Sequence, residues 1–162
     1  QYANIRETRD KLGGDKLFRN DGSRFTDVSA QAGIYGSLIG FGLGITIGDV
    51  NNDNWLDIYI SNDFYERDFL YINQKNGTFK ESIKEYMNHI SLASMGADIA
   101  DLNNDGNLDI FVTDMLPDDD YRLKTTASFD GYEIDQLRVQ RDFYHQDSRN
   151  MLHLNNGPGP DG

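Results

Sequence analysis

Three features of the 162-residue sequence predict an all-β fold of repeated antiparallel units, the kind of unit stacked around the axis of a β-propeller. The first is an Asp/Asn-rich stretch that occurs twice, at Asp49-Val50-Asn51-Asn52-Asp53-Asn54-Trp55-Leu56-Asp57 and at Asp101-Leu102-Asn103-Asn104-Asp105-Gly106-Asn107-Leu108-Asp109, 52 residues apart. The second is a turn motif with nearly the same period: Asn20-Asp21-Gly22 is matched by Asn73-Gln74-Lys75-Asn76-Gly77, 53 residues on, and begins again at Asn155-Asn156-Gly157. The third is the set of short runs between these motifs, rich in β-branched and aromatic residues and bounded by Gly, Asn and Asp.

Each element follows from that pattern. Leu17 to Arg19 and Leu70 to Ile72 read as short strands, and Asn/Asp/Gly turns follow because those residues tolerate positive φ. Phe25 and Phe79 begin the return strands. Leu43 to Gly48 and Met95 to Ala100 read as strands leading into the acidic loops. Ile58-Tyr59-Ile60 and Ile110-Phe111-Val112 read as strands leading out. One unit therefore holds about four strands, the content of a propeller blade.

The repeat units span roughly 17–69 and 70–151, with a third starting near 152, and the whole of 1–162 is read as part of a single propeller. The second unit is longer, because Asn73 and Asn155 stand 82 residues apart. The excess is assigned to one long, partly helical insertion at about 117–149. It opens on Pro117-Asp118-Asp119-Asp120 and contains a candidate helix from Tyr132 to Phe143, with Ile134, Leu137 and Arg138 near one face. Two units and part of a third cannot close a ring. The chain is thus expected to be a fragment whose remaining blades come from further chain or, as the second choice, from other subunits.

Composition narrows the function. Hydrophobic residues make up 38% and aromatics 12%, enough for a packed core. Twenty-seven acidic against 15 basic residues leave a net charge of −12, which disfavours nucleic acid as a partner. The absence of cysteine removes disulfides and thiolate metal sites. No apolar run approaches the roughly 20 residues that span a bilayer.

The acidic loops carry the strongest chemical signal. Oxygen-bearing side chains occupy positions 1, 3, 5 and 9: Asp49, Asn51, Asp53 and Asp57, then Asp101, Asn103, Asp105 and Asp109. Calcium takes six to eight oxygen ligands, and a tight loop supplies most of them from one short segment. Position 7, Trp55 or Asn107, offers its backbone carbonyl. Position 6 needs a sharp turn and is Gly106 in one loop and Asn54 in the other. Two Ca²⁺ sites are therefore expected. EF-hand and dockerin loops are excluded, because position 12 is Ile60 or Val112 where they require an acid, and both flanks read as strands.

With these residues in place, the run Phe41-Gly42-Leu43-Gly44-Ile45-Thr46-Ile47-Gly48-Asp49, the loop, and Leu56-Asp57-Ile58-Tyr59-Ile60 resemble the FG-GAP repeat, also called the VCBS-type repeat. Integrin α-subunit propellers use such repeats, with calcium in the hairpins of several blades. The resemblance is closest to large secreted or surface-attached bacterial repeat proteins. It implies an extracellular or cell-surface module, with outer-membrane attachment as one form, that binds an unknown protein or glycan. The second repeat departs from the first, with Ser94-Met95-Gly96 in place of Phe41-Gly42 and Gly44, so its lead-in is expected to differ. The first loop lacks Gly at position 6 and is expected to bind more weakly.

No catalytic constellation is visible, so a non-enzymatic binding or assembly module is expected. A lectin-like propeller stands second, and part of a polysaccharide- or lipid-active hydrolase last. His89, His145 and His153 lack ligand spacing and read as surface or packing residues. Asp63, Glu66, Arg67 and Asp68 read as a solvated connection, in which Phe64 and Tyr65 are alternatively placed to meet a ligand at a propeller face. The glycines from Gly40 to Gly44 read as close packing. Five insertion aromatics, Tyr121, Phe129, Tyr132, Phe143 and Tyr144, either anchor that loop or form a contact surface.

Overall fold

The computed structural model describes residues 5–126 and 131–157. Phe129 and the Pro158–Gly162 tail lie outside these residues. The chain is mostly β, arranged in several antiparallel sheets, and among the described residues no sheet closes on itself.

A four-stranded sheet forms the centre, in the order β3 (Phe41–Gly48), β4 (Asp57–Asp63), β5 (Phe69–Asn73), β6 (Phe79–Glu81). It is a simple antiparallel meander, with Ile45 opposite Ile60, Tyr59 opposite Leu70, and Ile72 opposite Lys80. Before it, β1 (Phe18–Asn20) and β2 (Phe25–Asp27) form a two-stranded hairpin. After it comes a short helix, α1 (Ile83–Tyr86), then β7 (Ile90–Ser91).

A second sheet joins β8 (Ser94–Ala100), β9 (Asp109–Asp114) and β11 (Met151–His153) in the order β11-β9-β8. Here β8, β9 and β11 pair as β3, β4 and β5 do: Met151 to His153 lie opposite Val112 to Ile110, as Phe69 to Tyr71 lie opposite Ile60 to Ile58. Between β9 and β11 run α2 (Asp120–Thr126), α3 (Tyr132–Gln140) and β10 (Gln146–Asp147). The last pairs in parallel with β7.

The strands extend past their expected ends. β4 and β9 continue beyond position 12 of the loops, to Asp63 and Asp114, because ladder pairing with β3 and β8 persists there; the added residues are buried in β4 but not in β9. The different residues leading into the second repeat do not alter the backbone: both incoming strands carry a register shift at the same place, between Gly42 and Gly44 and between Ser94 and Gly96. α3 stops at Gln140, short of Phe143, where Asp142 and Tyr144 take φ of 70° and 69°. None of its residues is buried, and Ile134 and Leu137 stay half exposed.

Two cores flank the central sheet. On one face Tyr59, Leu70 and Ile72 pack against Ile110, Val112 and Met151 of the second sheet, with Ile83, Met87 and Ile90 closing the edge. On the other, Ile58, Ile60, Phe69 and Tyr71 pack against Ala32 and Ile34, with Leu17 and Val28 alongside. The glycines near the start of β3 do serve close packing. A Cβ at Gly44 would lie 3.0 Å from the Gly96 Cα, so the two incoming strands cross backbone to backbone.

Candidate metal centre and the ionic cluster at the opposite end

Both acidic loops fold by the same set of local hydrogen bonds. In the first, Asp49 accepts from the Asp53 amide (2.9 Å) and the Asn54 amide (2.7 Å), and Asp53 accepts from the Trp55 amide (2.9 Å). In the second, Asp101 accepts from the amides of Asp105 (3.1 Å) and Gly106 (3.0 Å), and Asp105 from that of Asn107 (2.8 Å). The side-chain amides of Asn51 and Asn103 donate to Asp53 and Asp105 at 3.1 and 2.9 Å.

Position 6 is left-handed as expected, with φ of 68° at Asn54 and 89° at Gly106. Position 4 is left-handed too, at Asn52 (56°) and Asn104 (60°), which explains the Asn-Asn pair common to both loops.

Position 9 plays a part that spacing did not reveal. Asp57 is fully buried and accepts from the Val50 amide (3.0 Å) with one oxygen and from the Asn73 amide (2.9 Å) with the other. Asp109 repeats this with Leu102 (3.0 Å) and Asn155 (2.8 Å). Each aspartate thus ties its loop to the turn motif that follows. Asn73 and Asn155 complete the tie by donating their side-chain amides to the Leu56 and Leu108 carbonyls, and Asn155 donates also to the Val50 carbonyl of the first loop. The two periodic motifs seen in the sequence are therefore halves of one unit. The near-equal periods of loop and turn were the signal for it.

Electrostatics follow from these contacts. Burial raises the carboxyl of Asp57, against the pull of its two amide donors. Partial desolvation also pushes Asp53 upward, but the Trp55 amide, the Lys75 ammonium and the Asn51 amide together hold it below the usual carboxylate range. The Asn107 amide and the Asn103 side chain hold Asp105 low. Lys75 lies 3.2 Å from Asp53, so the first loop already has a tethered cation. Gly157 follows Asn155 as Lys75 follows Asn73, allowing for the shorter turn, so the second loop has no such lysine.

The donor chemistry suits a hard cation: three carboxylates, one amide oxygen and a backbone carbonyl per loop. As arranged, the carboxylates converge on backbone N–H groups. Among the described residues no three His, Asp or Glu side chains gather as a metal cage. A carboxylate oxygen that accepts one N–H keeps a further lone-pair site for a cation.

The 63–68 turn, at the other end of β4, corrects the sequence reading. Asp63, Glu66, Arg67 and Asp68 are not a solvated connection: all four are buried. Glu66 accepts from Arg6 (2.7 Å), Ser37 (2.6 Å) and the Arg67 amide (3.0 Å). Arg67 pairs with Glu81 at 2.6 Å. Asp68 accepts from the hydroxyls of Tyr59 (2.6 Å) and Ser94 (2.7 Å) and from the Asn62 amide (2.8 Å). Charge runs are usually solvated. This one is drawn in because its partners lie up to 60 residues away, which no local pattern displays.

Burial pushes the Asp68 carboxyl up to about 7, against the pull of those three donors. A folded value above the unfolded one means the folded chain keeps a proton that the unfolded chain has released. The resulting stabilisation is complete below about pH 4 and is lost as pH rises through about 7. Asp68→Asn is expected to flatten the dependence of urea-unfolding free energy on pH across this window. An unchanged slope in the variant would show that Asp68 does not titrate there.

The remaining candidates divide. Tyr144 donates its hydroxyl to the Met87 carbonyl (2.7 Å), and the Arg6 guanidinium lies over the Phe143 ring, so these two aromatics anchor the insertion. Tyr121 and Tyr132 are exposed. The His89 and His145 rings lie against each other at a tilt of 42°, and burial lowers the His153 imidazole.

A β-sheet repeat protein with a hydrogen-bonded acidic hairpin in each unit is the class these features define. Residues 49–112 match a family model described as an FG-GAP-like repeat. Such repeats typically occur in extracellular proteins and are in general non-catalytic binding modules. No curated protein matches the chain. Among the described residues no helix is long and apolar enough to cross a membrane.

Proposed function

We propose that the chain is part of a calcium-braced extracellular β-propeller that binds or assembles with another protein and carries no catalytic activity of its own. The observation behind this reading is the pair of acidic loops with one shared hydrogen-bond pattern, each joined to the following turn by a buried aspartate. Calcium at Asp49, Asn51, Asp53, Asp57 and the Trp55 carbonyl, and at Asp101, Asn103, Asp105, Asp109 and the Asn107 carbonyl, offsets two of the three carboxylate charges in each loop. It thereby holds each hairpin to its sheet. The exposed apolar side of β3, at Leu43, Ile45 and Ile47, is covered in this reading by a further blade of a longer chain.

The test is thermal unfolding in 1 mM calcium and in excess chelator. With a Kd of about 10⁻⁴ M, each site contributes about 1.4 kcal/mol at that concentration, or roughly 3–6 °C in thermal midpoint for a chain of this size. Equal midpoints in the two conditions would sink the calcium reading. Calorimetric titration is expected to resolve two unequal sites, the first loop weaker because of Lys75. Lys75→Met narrows the gap by up to about fivefold, the worth of an exposed ion pair.

A further inference from the structure

The acidic loops of the two units are hydrogen-bonded to each other. Asn155 donates its backbone amide to Asp109 (2.8 Å) and its side-chain amide to the Leu108 carbonyl (3.3 Å), both in the second loop. The same side-chain amide donates to the Val50 carbonyl of the first loop at 2.7 Å. Val50 is buried, and its own N–H donates to Asp57 (3.0 Å). The position-9 aspartates, Asp57 and Asp109, are thus linked through two residues, Val50 and Asn155. Asn73 holds the corresponding place in the first unit, and its side-chain amide goes to Leu56 of its own loop.

A second link runs nearer the surface. The Asn52 side-chain amide donates to the Asn107 side-chain oxygen at 2.8 Å, across 55 residues of sequence. The Asn107 side-chain amide donates in turn to Asp105 (3.0 Å). Asn52 stands between Asn51 and Asp53, with φ of 56°. Both links therefore run from inside one loop to carboxylates of the other.

We propose that the two loops act as one cooperative calcium unit, in which a cation in the second loop raises the affinity of the first through Asn155 and Val50 and through Asn107 and Asn52. A cation held by Asp105 and Asp109 fixes Asn107 and Asn155. These in turn hold Asn52 and Val50, so part of the ordering required of the first loop is already met. Repulsion between the two cations works the other way, but salt screens it and leaves the hydrogen bonds in place. The inference rests on the calcium reading above and adds that its two sites are not independent.

The experiment is a calcium titration followed by NMR in about 0.15 M salt. Trp55, the one indole of the chain, reports the first loop, and the Gly106 amide reports the second. Asp105→Asn keeps the size of that side chain and the oxygen that accepts from Asn107, but removes the charge a cation needs, so it silences the second loop. The first loop of Asp105→Asn is expected to bind calcium about threefold to tenfold more weakly than that of the parent, the worth of a net hydrogen bond. Reciprocity requires the same factor at Gly106 when Asp53→Asn silences the first loop. In the Asn155→Ala background the factor is expected to fall below about twofold, the range of independent sites. Asn52→Gly also lowers it; this variant removes an exposed contact and relaxes a left-handed residue, so its fold is secure. An unchanged or raised first-loop affinity in Asp105→Asn overturns the coupling and leaves two independent calcium sites. A factor undiminished in both Asn155→Ala and Asn52→Gly overturns the hydrogen-bonded route. No calcium-dependent shift at Trp55 or Gly106 in the parent overturns the calcium reading itself.

Discussion

Glu66→Ala is expected to lower the thermal midpoint by roughly 6–20 °C, the equivalent of about 3–5 kcal/mol for breaking a buried ion pair. Glu66 is 1% exposed and receives three hydrogen bonds from the Arg6 guanidinium alone. Alanine leaves that guanidinium buried, with Asp142 as its remaining carboxylate partner at 2.7 Å. It also strips the acceptor from the Ser37 hydroxyl and the Arg67 amide. The loss propagates because Arg6 anchors the first described residues: its carbonyl accepts the Gly36 and Ser37 amides. The double variant Arg6→Met/Glu66→Leu is expected to be more stable than Glu66→Ala, since an apolar pair leaves no orphaned charge. If Glu66→Ala shifts the midpoint by under 2 °C, the cluster is not what secures this end of the sheet.

Asp57→Ala is the second large effect, and it separates bracing from metal binding. Removing the side chain leaves the Val50 and Asn73 amides without partners. Each unmet buried group costs about 1–3 kcal/mol, so a total of about 2–6 kcal/mol is expected. That loss appears in chelator as well as in calcium, because it comes from protein hydrogen bonds. Asp49→Ala behaves differently. Its acceptors serve the Asp53 and Asn54 amides in the more open part of the loop, where water can replace them, so it forfeits chiefly the calcium increment. If Asp57→Ala and Asp49→Ala lose the same amount in chelator, the buried aspartate has no bracing role beyond its loop.

Much of the architecture is local and therefore visible in sequence. Loop and turn motifs owe their shape to neighbours within five residues: Asx contacts such as Gly22 on Asn20 and Gly157 on Asn155, and left-handed residues at Asn54 and Gly106. Strand alternation and the near-equal periods of the two motifs follow from the same short range. The link between them, from Asp57 to Asn73 and from Asp109 to Asn155, spans 16 and 46 residues, and only pairing of the intervening strands brings it about. The 63–68 turn misled for the same reason. Its charges read as solvated because Arg6, Glu81 and Ser94, which neutralise or hydrogen-bond them, are distant in the chain.

By itself, the sequence determined the β-rich repeat and the left-handed turns of the two acidic loops, since each depends on residue type and spacing along one short segment. Tertiary structure alone decided that Asp57 and Asp109 are buried ties, that the charged turn is a sealed ionic base, and that Phe64 and Tyr65 stand exposed upon it. Burial and long-range pairing are properties of the packed chain, and no window of sequence contains both partners.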